Sequence, residues 1–256
     1  MKIKNIFIPI TAILSLAAVS CSPAVPKISD AEGMGLSGHV KSITELVRVN
    51  SATIESENRD VYDRKRVIDF SSDGRITNVR ETYNGLTSSL RYIYGKDSLL
   101  TRVELYNDEE GLIQVNDIVH NSNGSVSSVN ISDSGNKPVM VKKYKYDGKG
   151  NIVEETNETP SGDVMNIIYS KYDGNGRRTE SVSHPKDGNP SQRFTFEYND
   201  KGELIKSSTE NRMFNDISSS EYSYENYDRM DNWRLRTSTL GGVVIEKNER
   251  IIEYYK

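Results

Sequence analysis

Tyr144-Lys145-Tyr146-Asp147-Gly148-Lys149-Gly150-Asn151-Ile152 decides how this chain is read. Tyrosine alternates with lysine, a cluster of turn-forming residues follows, and an apolar residue resumes the chain. The alternation is the period-two pattern of a half-buried strand. Asp-Gly-Lys-Gly supplies residues that reach positive φ at little cost and so reverse the direction of the backbone. The stretch recurs: Tyr146 belongs to a column spaced by 26 residues, namely Tyr94, His120, Tyr146, Tyr172, Tyr198 and Tyr224. Two positions earlier stand Tyr92, Ile118, Tyr144, Ser170, Phe196 and Tyr222, and the turn clusters 121–124, 173–176 and 199–202 repeat 147–150.

A second set of turn residues falls midway through each unit, at 107–111, 133–136, 160–163 and 187–190, so one repeat is two strands and two turns. Six residues after each anchor come Leu100, Val126, Ile152, Arg178 and Leu204; in the last copy the loop 225–231 is three residues longer and Trp233 takes that place. Together the columns predict a continuous stripe on one side of a sheet, where aromatic and β-branched cross-strand pairs contribute about 0.2–1 kcal/mol each. Lys145, Lys171, Glu197 and Ser223 fall on the other parity and face water. Looser copies precede, with strands over 39–47, 66–70 and 76–79, and no stretch sustains a helical period. Only 35% of the residues are hydrophobic, which favours a thin sheet over a thick core. The expected fold is therefore all-β: an antiparallel meander of about six two-strand repeats over residues 35–256, forming an elongated or coiled sheet.

The N-terminus carries an address. Lys2 and Lys4 give a positive start, and residues 6–19 form an apolar stretch too short for a stable membrane span, so 1–20 reads as a signal peptide. Residues 21–34, with two prolines and no periodicity, read as a flexible tether. Leu16-Ala17-Ala18-Val19-Ser20-Cys21 resembles the lipobox of bacterial lipoproteins, with Ala18 where that family most often has leucine. The resemblance implies that Cys21, the chain's one cysteine, becomes the lipidated first residue. Loss of Lys2 and Lys4 with the signal peptide takes the net charge from −4 to −6, an acidic body that argues against nucleic acid. One cysteine permits no intramolecular disulfide.

The unit around Tyr146, with its relatives at Tyr172 and Tyr198, resembles the YD or RHS repeat, Y-x-Y-D-x-x-G-N/R-L, over roughly residues 90 to 256. The last unit, Tyr222-Ser223-Tyr224 with Asn232-Trp233 and Arg236, and the closing Glu249-Arg250-x-Ile252-x-Tyr254-Tyr255, resemble the end of bacterial lipoproteins that carry such repeats. In large members the repeats build a coiled wall around a toxin cargo or form adhesion scaffolds. The present period is longer, the copies are few, and no self-cleaving core or toxin segment follows. The resemblance thus implies a sheet and an extracytoplasmic setting rather than a toxin.

Catalytic patterns are weak. His39, His120 and His184 are not spaced as metal ligands on one element, and His120 occupies the packing column. Gly33-x-Gly35-x-x-Gly38 matches a dinucleotide fingerprint in letters, but no strand precedes it and no apolar helix follows. Ser37 lacks the spacing of a nucleophile elbow. Glu154 and Glu155 are adjacent on a strand and point to opposite faces. The Asp/Asn/Gly clusters lack the convergent oxygens and closing bidentate acid of a calcium loop. No cofactor is expected.

The sequence reading is accordingly a lipid-anchored, non-enzymatic β-repeat scaffold of the bacterial cell envelope, placed at the outer membrane, with a binding or assembly role. Its partners would be the membrane through the anchor, and envelope proteins or glycans. One alternative is a carbohydrate-binding or adhesion module using an exposed stripe of Tyr146, Tyr172, Tyr198, Tyr224 and Trp233. Another is an enzyme of unrecognised type, which would have to gather acids or histidines from separate repeats.

Overall fold

The computed structural model describes residues 29–49, 51–58, 60–186 and 191–256. The signal peptide, Cys21 and most of the tether lie outside the described residues, as does the turn 187–190.

Among the described residues sixteen strands follow in order, beginning with β1 (Val40–Arg48), β2 (Arg64–Phe70), β3 (Ile76–Tyr83), β4 (Leu86–Tyr94), β5 (Leu100–Asn107), β6 (Gly111–His120), β7 (Val126–Asp133) and β8 (Pro138–Tyr146). The second half is β9 (Ile152–Glu158), β10 (Val164–Tyr172), β11 (Arg178–Pro185), β12 (Gln192–Tyr198), β13 (Leu204–Asn211), β14 (Asp216–Glu225), β15 (Leu235–Leu240) and β16 (Val243–Tyr254). Each pairs antiparallel with its sequence neighbour, as the meander requires. The elongated or coiled sheet is corrected: β1 pairs with β16, from Val40 opposite Tyr254 to Arg48 opposite Lys247, and the sheet closes into a barrel. Closure leaves no unpaired edge, which an open meander of this length would expose along two strands.

The repeat maps onto one rim. Phe70, Tyr94, His120, Tyr146, Tyr172 and Tyr198 pair with Ile76, Leu100, Val126, Ile152, Arg178 and Leu204, each pair beside a bulge. The five-residue turn between them is built alike each time. In 147–151 the Asp147 N–H donates to Asn151 O at 2.9 Å, Asp147 Oδ1 accepts from the N–H groups of Lys149 and Asn151, and Gly150 takes φ 85°. The bulge supplies a second motif: the Thr77, Thr101, Ser127 and Thr179 hydroxyls donate to the carbonyls of Asp69, Ile93, Val119 and Lys171. The long last loop keeps the same turn three residues later, at 228–232, with Asp228 Oδ1 accepting from Met230 and Asn232 and Asp231 at φ 63°.

Among the described residues, two short helices sit outside the repeat. The expected tether gives way to structure at its C-terminal end, where α1 (Asp30–Gly33) starts on a capping box between Ser29 and Glu32. Asp30 Oδ2 accepts from Ile76 N–H at 2.8 Å and from the Tyr94 hydroxyl at 3.1 Å. Ala31 and Leu36 join an apolar cluster with Val40, Ile43, Ile68, Phe70, Val79, Leu90 and Val103. Helix α2 (Ser51–Ile54) belongs to the opposite rim, where Lys247 Nζ donates to Ile54 O.

The interior is divided. Inward positions of β1 to β7 are mostly apolar and buried, continuing through Ile118, Val126, Val129 and Ile131, and are broken by Glu45, Arg64, Arg66, Glu81 and Asn116. From β9 to β14 the same parity carries Asn157, Asn166, Ser181, Ser183, Ser207, Thr209, Ser218 and Ser220. The outer wall carries ion pairs along its strands: Lys145 to Glu154 at 2.8 Å, Lys143 to Glu158 at 2.7 Å, Lys171 to Glu180 at 2.7 Å, Arg193 to Glu180 at 2.5 Å and Arg102 to Asp117 at 2.7 Å.

Candidate functional site

The tyrosine stripe lies on the inner side of the wall. The hydroxyls of Tyr146, Tyr172, Tyr198 and Tyr224 donate to the carbonyls of Val126, Ile152, Arg178 and Leu204, each twenty residues earlier, at 2.8 to 2.9 Å. Tyr94 reaches Ile76 O at 2.7 Å in the shorter first unit, and Tyr255 reaches Phe70 O across the closure. Each ring is half-buried, and burial pushes the phenols of Tyr94, Tyr172, Tyr198 and Tyr224 upward. His120, the exception in the column, has its imidazole pushed downward by burial. The stripe is thus part of the wall, with its hydroxyls committed to backbone.

Trp233 leads elsewhere. Its ring lies 5.4 Å from the Tyr224 ring, and the Arg250 guanidinium carbon sits 3.5 Å over its centroid. Arg250 Nε donates to Glu45 Oε1 at 3.0 Å, and both side chains are about nine-tenths buried. Burial would push the Glu45 carboxyl up; the charges of Arg250, Arg66 and Arg236 and the bond from Arg250 outweigh it and hold it below the usual carboxylate range. The pair is therefore ionised, and it bridges the closure, because Glu45 of β1 stands opposite Arg250 of β16 on one side and Arg66 of β2 on the other.

Toward the other rim the cluster continues. Glu246 Oε1 accepts from Arg236 Nη2 at 2.7 Å, and Glu246 Oε2 lies 3.9 Å from Arg64 Nη2. Ser238 faces Glu246 across the strands, Asn248 faces Arg236, and both are almost fully buried. Four arginines from β2, β15 and β16 thus converge with Glu45 and Glu246 at the seam. Sequence reasoning named Trp233 as a site residue here, quoted Arg236 and Arg250 only as part of a repeat motif, and gave no arginine a role in a site. Parity was the available signal: Glu45 shares the face of Ile43 and Val47, and Arg64 and Arg66 share that of Ile68 and Phe70.

Among the described residues no group of three His, Cys, Asp or Glu side chains is placed to hold a metal ion. No helix of the described residues is long and apolar enough to cross a membrane, which leaves spanning by strands open.

No family model and no curated protein matches the sequence. Among solved structures, a porin-like protein from Bacteroides uniformis is similar over 85% of this chain and 98% of its own, with a TM-score of 0.54 at 12% identity. A porin-like protein from Bacteroides vulgatus is matched over 85% of this chain and 99% of its own, at TM-score 0.41 and 10% identity. The TcdB2-TccC3-Cdc42 complex is matched over 72% of this chain and 14% of its own, at TM-score 0.30 and 10% identity. The first of these likenesses is one of fold. It defines the class, a closed antiparallel β-barrel.

Proposed function

We propose that this chain is a lipid-anchored barrel of the bacterial cell envelope that stands in water and binds or organises a partner through its interior, without catalysis. The outer wall carries the reading. A barrel that spans a bilayer presents an apolar band about 25 Å tall to lipid, and Lys or Arg at mid-membrane costs it about 2–4 kcal/mol each. Here Lys143, Lys145, Lys171, Arg193 and Arg102 lie on outward faces with their carboxylate partners, Lys143 toward the middle of β8 and Lys145 and Lys171 one residue from the rim. Several strands, such as β9 and β12 at 7 residues, are also shorter than the 9–11 that a tilted spanning strand needs.

Acyl chains on Cys21 would supply the membrane attachment that the wall does not, with the outer membrane as the expected address. The porin-like description of the Bacteroides uniformis protein fits an envelope setting, and the regular hairpin unit fits a YD-like repeat. Envelope proteins or glycans remain the partner classes. A glycan platform built from Tyr146, Tyr172, Tyr198, Tyr224 and Trp233 would have to act from the lumen, since those rings line it.

Fractionation of cells carrying Cys21→Ala tests the proposal. The wild type should take up a lipid label and sediment with membranes, and the variant should lose both properties. A variant still in the membrane fraction, with no label on the wild type, would overturn the anchor; single-channel conductance of the purified protein in planar bilayers would overturn the water-facing barrel.

A further inference from the structure

The geometry points to an oxyanion site at the seam: we infer that the lumen-facing guanidiniums of Arg64, Arg66 and Arg236, with Ser238, bind a carboxylate- or phosphate-bearing small molecule. The inference deepens the binding role proposed above and rests on it.

Charge comes first. Arg250 is satisfied by Glu45, and Glu246 is shared between Arg236 and Arg64 at 2.7 and 3.9 Å, so one carboxylate serves two guanidiniums. No carboxylate of the described residues lies within ion-pair distance of Arg66, although Glu81 is its neighbour on β3 by register. The seam therefore holds four arginines against three inward acids, Glu45, Glu81 and Glu246, inside a low-dielectric wall where an unmatched cation is costly.

Unused hydrogen-bonding capacity comes second. The Nε atoms of Arg64, Arg66 and Arg236 are buried and have no partner, nor has the Ser238 hydroxyl, whose residue is 3% exposed. A buried donor left unmade is costly, so four around one seam call for an acceptor. Register sets them on three successive rows of four neighbouring strands, with Arg66 in the row of Glu45 and Arg250. Arg236 pairs with Asn248, Asn248 shares Val47 with Arg64, and Ser238 and Glu246 occupy the adjoining row two residues along. Guanidinium forks match the planar or tetrahedral oxygens of carboxylate and phosphate. The orphaned Asn248 Oδ1 adds a polar wall beside them. Glu45 and Glu246 set the limit on charge: they screen two guanidiniums already, which suits one anionic group rather than a polyanion.

The full-length protein in detergent micelles should show saturable binding of inorganic phosphate, glucose 1-phosphate or glucuronate by calorimetry, with glucose and chloride at matched ionic strength as controls. Phosphate and glucose 1-phosphate binding without glucuronate would assign the phosphoryl group, and the reverse the carboxylate. Arg66→Gln removes a guanidinium that makes no close ion pair and should weaken binding by about tenfold or more, with a modest fall in thermal midpoint because Arg66 also supports the ionised Glu45. Ser238→Ala serves as a second folded variant, with a smaller loss. No saturable heat with any of the three anions, or unchanged affinity in both variants, would overturn the site. Lipid labelling of Cys21 is read separately, so failure of the site and failure of the anchor are told apart.

Discussion

The Tyr172 hydroxyl donates to the Ile152 carbonyl at 2.8 Å, tying the last residue of β10 to the first residue of β9. The same bond recurs from Tyr146, Tyr198 and Tyr224, so the 26-residue spacing is the spacing of a rim fastening. Removing the oxygen alone isolates its contribution. Tyr172→Phe should cost about 1 kcal/mol, and Tyr172→Ala about 2–3 kcal/mol, below the value for a fully buried ring because this one is half-buried. Urea midpoints check both. An unchanged midpoint for the alanine variant would mean that the stripe does not hold the wall together.

His120 breaks the series, and with it the bond that a tyrosine would make to the carbonyl twenty residues earlier, that of Leu100. His120→Tyr should therefore raise stability by about 0.5–1 kcal/mol. A loss of stability on thermal unfolding would show that the site is shaped for imidazole.

Gly202 takes φ 86°, and a Cβ there would meet only Arg177 Nη1 at 3.9 Å, so its cost to substitution is conformational. Gly202→Ala should destabilise by about 1–2 kcal/mol. Gly148 has no positive φ and open space around it, so Gly148→Ala should be neutral or stabilising by a few tenths of a kcal/mol. Equal midpoint shifts for the two would contradict the turn geometry.

Tyr254 and Asp228 predict a pH dependence at both ends. Burial, then the bond to Asp228, pushes the Tyr254 phenol up to about 12. The folded state then binds its proton more tightly than the unfolded state, so that stability is complete below about pH 10 and is lost as pH rises toward 12. Asp228 behaves oppositely: burial would raise its carboxyl, but bonds from Tyr254, Met230 and Asn232 prevail and lower it, so its contribution is present above the ordinary aspartate range and lost in acid. Tyr254→Phe should flatten the alkaline slope of the urea midpoint relative to wild type. Parallel slopes would sink the assignment.

What could be read beforehand follows from the range of each interaction. Alternation across Tyr144, Tyr146 and Ile152 is local, and so are the turns, which is why strands and rim were legible. Closure was not, because Val40 and Tyr254 carry no local mark of each other. The arginine cluster was hidden for a related reason: Arg236, Arg250 and Arg66 look like ordinary surface charge until the strands that carry them become neighbours. Helix α1 was masked by its proline-bearing surroundings, although Ser29 and Glu32 spell a capping box.

The closure also orders events in time. Since β1 finds its second partner only in β16, the first strand made must wait for the last, and every intermediate with a nearly complete meander still has two open edges. Loop entropy makes such distant pairing slow to find. Glu45 and Arg250 then act as a latch. In an unclosed ring Glu45 keeps only Arg66 opposite it and Arg250 lacks its carboxylate, whereas in the finished ring Glu45 and Arg250 neutralise one another, which favours the closed state.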